Sequence, residues 1–407
     1  MNALALNAGS SSLKFALFDT APEPMVSGDI DWADGNRQRA QLTLLANGKT
    51  SRSQVQVPDE SIAAARAIES VLEAAGIGAD GIAVVGHRLV HGGAEFRESM
   101  RIDQKVKMAL AKLSRLAPLH NPPALKVVET VEAVLPGVPQ VAVFDTAFYA
   151  QLPPKVFMFP LPYEWHRDWG IRRYGFHGLS HAYCASRAAE LLGRPLASLR
   201  LISCHLGGGC SATAVRDGVA AATTMGFSPL DGLMMGTRCG SIDPGIILHA
   251  QRECGLTAEQ IDHALNHRSG LLGISGVSPD LARIEEAAAA GNERARLAFE
   301  MFADRVRGAI GALAAGLGGV DALVFTDRIG ENSPALRAAA CQGLEFMGLR
   351  LDAERNRAAL PDTDVAAPDS PARIVVVHTR EEWMVAREAR RVVGCARPRA
   401  QRAPNAG

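Results

Sequence analysis

Arg88 stands in GHRLVHGG, Gly86 to Gly93, where an arginine and two histidines leave the end of an apolar run among glycines. Asp145 directly follows the apolar run Gln140 to Phe144, a common way to hold a carboxylate at a cleft. His177 lies in RRYGFHGLSH, Arg172 to His181, and Arg238 in MGFSPLDGLMMGTRCGSIDP, Met225 to Pro244. The latter stretch has neither helical nor strand periodicity, and so long an irregular segment inside a compact domain is usually functional. Two turns of small residues complete the set, one in LNAGSSSLKF near the N-terminus and one in HLGGG, His205 to Gly209. Small residues leave successive N–H groups open to an anion, so the pair suggests two related domains facing one phosphate-bearing ligand. Gly207, Gly209 and Ala212 also fit a weak dinucleotide fingerprint. That motif needs a helix next, and Ser211 to Val215 reads as a strand, which argues against it.

The elements that must position these residues follow from periodicity. Leu4 to Asp19 reads as a strand, a turn and a strand, and the shape returns at Leu201 to Val215. Asp59 can cap a helix with Ile62, Ala65, Ile68, Leu72 and Ala75 on one face and Gly76 past its end. A strand over Ile82 to Val85 delivers Arg88. Helices over Gln104 to Arg115 and Ala124 to Val134 precede the strand that ends at Asp145. Prolines at Pro153, Pro154, Pro160 and Pro162 mark a crossover, with a domain boundary near Phe148. Beyond it, a helix runs from the His177 motif to about Leu192, and a core helix carries Phe299, Phe302, Val306, Ile310, Leu313 and Leu317 on one stripe. The strand Ala322 to Thr326 enters DRIGENS, and the strand Ile374 to Val377 leads to a helix from Glu381 to about Val393. The expected domains are residues 1–148 with 382–395, and 149–381, with 396–407 a disordered tail.

Composition narrows the class. At 407 residues two domains are expected, and 43 basic against 43 acidic residues give no surplus that would call for nucleic acid or an anionic membrane. The seven cysteines are odd in number and never spaced C-x-x-C, which fits reduced thiols in a cytoplasm better than a zinc site or disulfide framework. No basic region before an apolar stretch opens the chain, and no run is long enough to span a bilayer, so a soluble cytoplasmic protein is expected.

With LNAGSSSLKF, GHRLVHGG, LAPLHNPP, FDTAF, RRYGFHG, HLGGG, MGFSPLDGLMMGTR, IGENS and the T-x-E-E segment Thr379 to Glu382 in order, the chain resembles the acetate kinases. These lie within the sugar kinase, actin and heat-shock chaperone superfamily. The resemblance implies an α/β protein of two ribonuclease-H-like (actin-like ATPase) domains with the active site in the cleft between them, and a homodimer. It implies Mg²⁺-dependent phosphoryl transfer between ATP and acetate. Two anions must then meet in line, which calls for fixed positive charge that a guanidinium fork supplies better than an ammonium. By resemblance Arg88 binds the substrate carboxylate, Arg238 stabilises the transferring group, His177 donates to its equatorial oxygens, and Asp145 orients the acceptor. Val90, Leu119, Phe176 and Pro229 enclose the acyl methyl group, with His120 in support. Asn7 and Glu381 hold Mg²⁺, Glu382 being the alternative to Glu381. The donor is held by Lys14, by His205 with Gly207, Gly208 and Gly209, by Asp280, Leu281 and Ala282, and by Arg328, Ile329, Gly330, Glu331 and Asn332.

Three departures cluster in that donor region. Gly208 replaces the Asn of HLGNG; Ala282 stands where an Arg is usual, with Arg283 one step late; and Asp327 and Arg328 replace the Ala and Gly of FTAGIGEN. An Arg at a Gly position either swings out over the base, which keeps ATP, or fills the pocket, which favours pyrophosphate. ATP is the reading adopted. A member of the superfamily that binds nucleotide without phosphorylating anything is the other class, and the acceptor residues argue against it.

Overall fold

A computed structural model describes residues 1–9, 11–32, 37–114 and 121–395. Leu119, His120 and the segment 396–407 lie outside the described residues. The chain divides into two compact units, Met1–Ala147 with Glu381–Gly407, and Phe148–Arg380.

The first unit is built on an eight-stranded sheet: β1 (Ala3–Ala8), β2 (Ser12–Phe18), β3 (Val26–Asp31), β4 (Ala40–Ala46), β5 (Lys49–Val55), β6 (Val84–Leu89), β7 (Met100–Arg101) and β8 (Gln140–Phe144). Their order is β5-β4-β3-β2-β1-β6-β8-β7. β1 pairs antiparallel with β2 and parallel with β6, and β6 is parallel to β8. β1 is buried at every position, as a central strand covered on both faces must be. Helices α1 (Glu60–Ala75) and α3 (Asn121–Val134) pack on the sheet, and α2 (Gln104–Leu113) packs on α3.

Asp59 caps α1 by accepting from the amides of Ser61 and Ile62, and Gly76 closes it in the left-handed conformation. Its buried face differs from the expected one: Ile62 is exposed, and Ala63, Ala64, Ala67, Ile68 and Val71 face the core. The small alanines let the helix lie close to the sheet, so the buried stripe is set by fit and not by the bulkiest residues.

The second unit contains α4 (Pro154–Phe157), α5 (Tyr163–Trp169), α6 (Gly178–Leu191), β9 (Leu201–Leu206), β10 (Cys210–Arg216) and β11 (Val219–Thr223). It continues with α7 (Pro244–Arg252), α8 (Ala258–His267), α9 (Gly270–Ser275), α10 (Leu281–Ala289), α11 (Glu293–Leu317) and β12 (Ala322–Thr326). It ends with α12 (Asp327–Asn332), α13 (Pro334–Cys341), α14 (Ala353–Ala358), β13 (Thr363–Asp364) and β14 (Arg373–Val376). Its sheet order is β11-β10-β9-β12-β14-β13. An antiparallel three-strand meander is thus followed by two parallel strands, β12 beside β9 and β14 beside β12, the same arrangement as β3-β2-β1-β6-β8. The repeat read from the two hairpins is a repeat of topology.

α11 buries Phe302, Val306, Ile310, Leu313 and Leu317 and packs against α9, α10, α13 and β10. The chain then re-enters the first unit as α15 (Glu381–Cys395), which packs on β1 and β6. A Cβ on Gly86 would lie 2.7 Å from a Val385 methyl, so the close approach of α15 to β6 requires glycine there. No helix among the described residues is long and apolar enough to cross a membrane.

Candidate active site

In the first unit, β1, β6, β8 and α15 bring four expected residues together. β6 runs on past its apolar start to Leu89, so Arg88 leaves a strand flanked on both sides, with Asn7 on β1 and Asp145 directly after β8. Arg88 grips Asp145 in a fork, Nε to Oδ1 at 3.1 Å and Nη2 to Oδ2 at 2.7 Å. Its Nη1 donates to Asn7 Oδ1 at 3.2 Å and lies 3.2 Å from Glu381 Oε2. Glu382 accepts from Asn7 Nδ2 at 3.4 Å. Burial works against the Arg88 charge, but Asp145 and Glu381 outweigh it and raise the guanidinium's pKa, so the cation is permanent.

Burial pushes both neighbouring histidines, His87 and His91, down to about 4. They are therefore neutral at pH 7, and Arg88 is the cation of this strand end. Three carboxylates around one guanidinium leave an excess of negative charge and an all-oxygen donor set, which fits a divalent cation such as Mg²⁺. Among the described residues no group of three or more His, Cys, Asp or Glu forms a protein-only metal cage. Mg²⁺ keeps several waters and does not ask for one. Lys14 sits on β2 directly opposite Asn7 and is exposed, and Val90 follows β6, half-buried.

In the second unit, His177 occupies the residue before α6 in the left-handed conformation, φ 56° and ψ 27°. A non-glycine residue is held there only when its surroundings dictate it. The turn Gly207 to Gly209 joins β9 to β10, and a Cβ on Gly209 would lie 3.1 Å from His177 Nε2 and 3.6 Å from Arg238 Nη1. Turn, histidine and arginine therefore converge. The His177 and His205 rings stack at 4.2 Å.

Arg238 donates from Nη1 to the Pro229 carbonyl at 2.9 Å and has no carboxylate partner among the described residues. Burial holds its pKa below the ordinary arginine value. Phe176 is buried, its carbonyl accepting from the Tyr149 hydroxyl at 2.7 Å, and Pro229 is half-buried. Burial pushes the Cys210 and Cys341 thiols up to about 12, which removes them as nucleophiles.

The residues expected to hold the donor lie around Asp327 and α12. Asp327 takes φ 64°, donates its amide to Glu331 Oε1 at 3.0 Å, and sets its Oδ2 3.3 Å from His205 Nε2. A Cβ on Gly207 would collide with that carboxylate, so Gly207 is required by Asp327. Arg328 is exposed and ion-pairs with Asp280, whose other oxygen caps α10 by accepting from Ala282 N at 3.0 Å. It therefore lies along the surface toward α10. Arg283, one step late, is exposed and pairs with Glu286.

Leu281, Ile329 and Gly330 are buried, and Asn332 donates to the Arg328 carbonyl at 2.8 Å. Glu331 is engaged by the Asp327 amide, the Thr379 amide and His378 Nδ1, which makes it a brace of the turn. A Cβ on Gly208 would meet nothing within 4 Å, so the position normally held by Asn opens onto free space.

Sequence reasoning assigns no role to several residues that support the site. Ser211 lies between His177 Nδ1 at 2.9 Å and His181 Nε2 at 2.8 Å, and Ser180 bonds His205 Nδ1 at 2.8 Å. The available signal is the spacing of His177 and His181, four apart at a helix start and therefore on one face. Arg337 is fully buried and donates to the Gly330 and Glu331 carbonyls, both at 2.9 Å, and to Asn356. No local pattern marks it.

Known proteins match the chain along nearly its whole length. The model of the acetokinase family matches residues 2–387. The acetate kinase of a Cyanothece species is 48% identical over 398 residues, covering 95% of this chain and 97% of the relative. Among solved structures, the acetate kinase of Porphyromonas gingivalis superposes with a TM-score of 0.89 at 40% identity, covering 96% of this chain and 99% of that one. A propionate kinase from Francisella tularensis superposes at 0.88 and 35% identity, with the same coverage. The two repeated units are those of the actin-like ATPase fold, and the chain belongs to the acetokinase family, phosphotransferases whose acceptor is a carboxyl group.

Proposed function

We propose that the protein catalyses the reversible Mg²⁺-dependent transfer of the γ-phosphoryl group of ATP to acetate, giving acetyl phosphate and ADP, as a cytoplasmic homodimer. One observation carries the reading: a half-buried guanidinium, Arg238, stands without a carboxylate among the described residues, beside a glycine turn and a histidine ring, in a chain that the acetokinase family model matches over residues 2–387. An acetate oxygen attacks the γ-phosphorus and the bond to the ADP oxygen breaks. Negative charge on the equatorial oxygens grows in the transition state, where Arg238 and the His177 ring donate. Acetate is already ionised at neutral pH, so Asp145 has no proton to remove and serves to hold Arg88 and orient the acceptor.

Much of the Arg88 fork is taken up by Asp145, which limits what is left for a substrate carboxylate and favours a small acid held by few bonds. Asn7 and Glu381 would hold Mg²⁺, which when bound offsets the charge of the donor phosphates. Val90, Phe176 and Pro229, with Leu119, are the candidates to enclose the methyl group. One methylene is worth about 1 to 3 kcal/mol in such a pocket, so propionate is expected as a weaker substrate.

The test is hydroxylamine trapping of acyl phosphate with ATP, GTP and pyrophosphate as donors. Acetyl hydroxamate formed best with ATP supports the reading, a preference for pyrophosphate overturns the donor, and no product with any donor overturns the activity. Arg238→Ala should lower kcat/KM on the order of 10² or more. Retention of more than a tenth would remove Arg238 from the chemical step.

A further inference from the structure

We propose that Ser211 and His181 are positioning residues that hold His177 in the tautomer with its proton on Nε2, the nitrogen turned toward the Gly207 to Gly209 turn. This rests on the reading that His177 donates to the transferring phosphoryl group. Three side chains form one chain of hydrogen bonds, His181 Nε2 to Ser211 Oγ at 2.8 Å and Ser211 Oγ to His177 Nδ1 at 2.9 Å. Ser211 is fully buried and its hydroxyl reaches only these two ring nitrogens among the described residues, so its single proton goes to one of them, and with both rings neutral the chain runs one way or the other.

The buried end decides the direction. His181 is fully buried, and its Nδ1 has no hydrogen-bond partner among the described residues. If the chain ran from His177 to His181, the His181 proton would sit on Nδ1 as a buried N–H with no acceptor. In the opposite direction only a lone pair is left over. Orphaned buried N–H groups are the rarer and costlier of the two. A doubly protonated His181 is excluded, because burial, with the nearby His205, holds its pKa well below the ordinary value.

His181 Nε2 therefore donates to Ser211, Ser211 donates to His177 Nδ1, and the His177 proton is left on Nε2. Among the described residues, His205, Asp327 and Arg238 are charged or titratable groups beside this chain. His205 stacks on His177 with Nδ1 on Ser180 and Nε2 beside Asp327, and Arg238 lies across the glycine turn. In the other tautomer Nε2 would present a lone pair to phosphoryl oxygens. The relay thus sets a donor in place before charge develops, with no reorganisation required.

The experiment uses the full chain labelled with ¹⁵N-histidine, reading the His177 tautomer from two-bond ¹⁵N–¹H couplings at a pH where the ring is neutral. Ser211→Ala removes the link. His181→Gln sets an amide nitrogen at the reach of Nε2, whereas His181→Asn sets it at the reach of Nδ1. Wild type and His181→Gln should show the proton on Nε2. Ser211→Ala and His181→Asn should show mixed tautomers and lose about 10- to 100-fold in kcat, with KM for acetate and ATP within about twofold.

A wild-type proton on Nδ1, or a tautomer unmoved by Ser211→Ala, overturns the inference whatever the activity. A tautomer that shifts as expected while kcat is unchanged supports the relay and instead overturns the assignment of His177 to the phosphoryl group. Should Ser211→Ala fail to fold by circular dichroism, the wild-type tautomer and the contrast between Gln and Asn at position 181 decide.

Discussion

Replacing Arg88 tests whether its planar fork, and not merely its charge, organises the polar cluster of the first unit. Arg88 makes two bonds to Asp145, one to Asn7 and an ion pair with Glu381. Arg88→Ala removes the guanidinium that pairs with the Asp145 carboxylate, whose side chain is 1% exposed, and with Glu381. Breaking a buried pair by removing one partner costs about 3 to 5 kcal/mol, equivalent to roughly 6 to 20 °C in the melting of a unit this size. Arg88→Lys keeps the charge but cannot span both Asp145 oxygens and still reach Asn7, so it loses one or two charge-assisted bonds, about 1.5 to 3 kcal/mol each. If those bonds orient the acceptor in the transition state, that loss corresponds to roughly 10- to 100-fold or more in kcat/KM. The measurement pairs hydroxamate kinetics with thermal melts of both variants. Arg88→Lys retaining more than a tenth of wild-type kcat/KM would refute the argument from the fork. An Arg88→Ala protein as stable as wild type would refute the argument from counter-charge.

Three further outcomes are expected. Glu381→Gln should raise the Mg²⁺ concentration for half-maximal activity about tenfold or more while leaving the melting temperature near wild type; if Glu382→Gln does so and Glu381→Gln does not, the metal ligand lies one residue along α15. Burial lowers the His87 pKa from 6.5 to about 4, so between those values the unfolded chain takes up a proton that the folded chain refuses. Stability is whole above about pH 6.5 and declines as pH falls toward 4, by about 3 kcal/mol from this group, and His87→Gln should flatten that part of a urea-midpoint series; an unchanged slope would exclude His87 as the cause. Because the Asp327 carboxylate presses on Gly207 of the β9–β10 turn, to which the proposed function assigns the donor phosphates, Asp327→Ala should lower KM for ATP about fivefold, the worth of roughly 1 kcal/mol between screened charges. Adding Arg328→Gly breaks the pair with Asp280, and a wild-type preference for pyrophosphate that reversed to ATP in the double variant would show that Asp327 and Arg328 exclude the base.

What could be read from the sequence was local, and what could not was the work of distant neighbours. Both hairpins, the strand Gln140–Phe144 ending at Asp145 and the α11 stripe follow from apolar runs and turn residues. β6 was legible only to Val85, because the polar residues that extend it are carried by parallel partners on both sides, with His87 satisfied by Gln140 at 2.7 Å. The buried face of α1 was misread because alanine packs closest to a sheet, and an index of bulk points to Ile62 instead. Arg337 has the local pattern of a surface arginine, and only the fold brings the Gly330, Glu331 and Asn356 acceptors around it.

The same limit applies to the two arginines to which the proposed function assigns the chemistry. In sequence Arg88 and Arg238 are alike, each a cation among glycines. In the structure Arg88 is already neutralised by Asp145 and Glu381, whereas Arg238 holds only a backbone carbonyl and bears the cost of burial. An arginine whose charge is already met can orient a substrate but has little left for charge that appears during reaction. One whose charge is unmet stabilises such charge most when it is greatest. Under the proposed function, a division of labour between them, acceptor positioning for Arg88 and the transferring phosphoryl group for Arg238, would follow from where the carboxylates are.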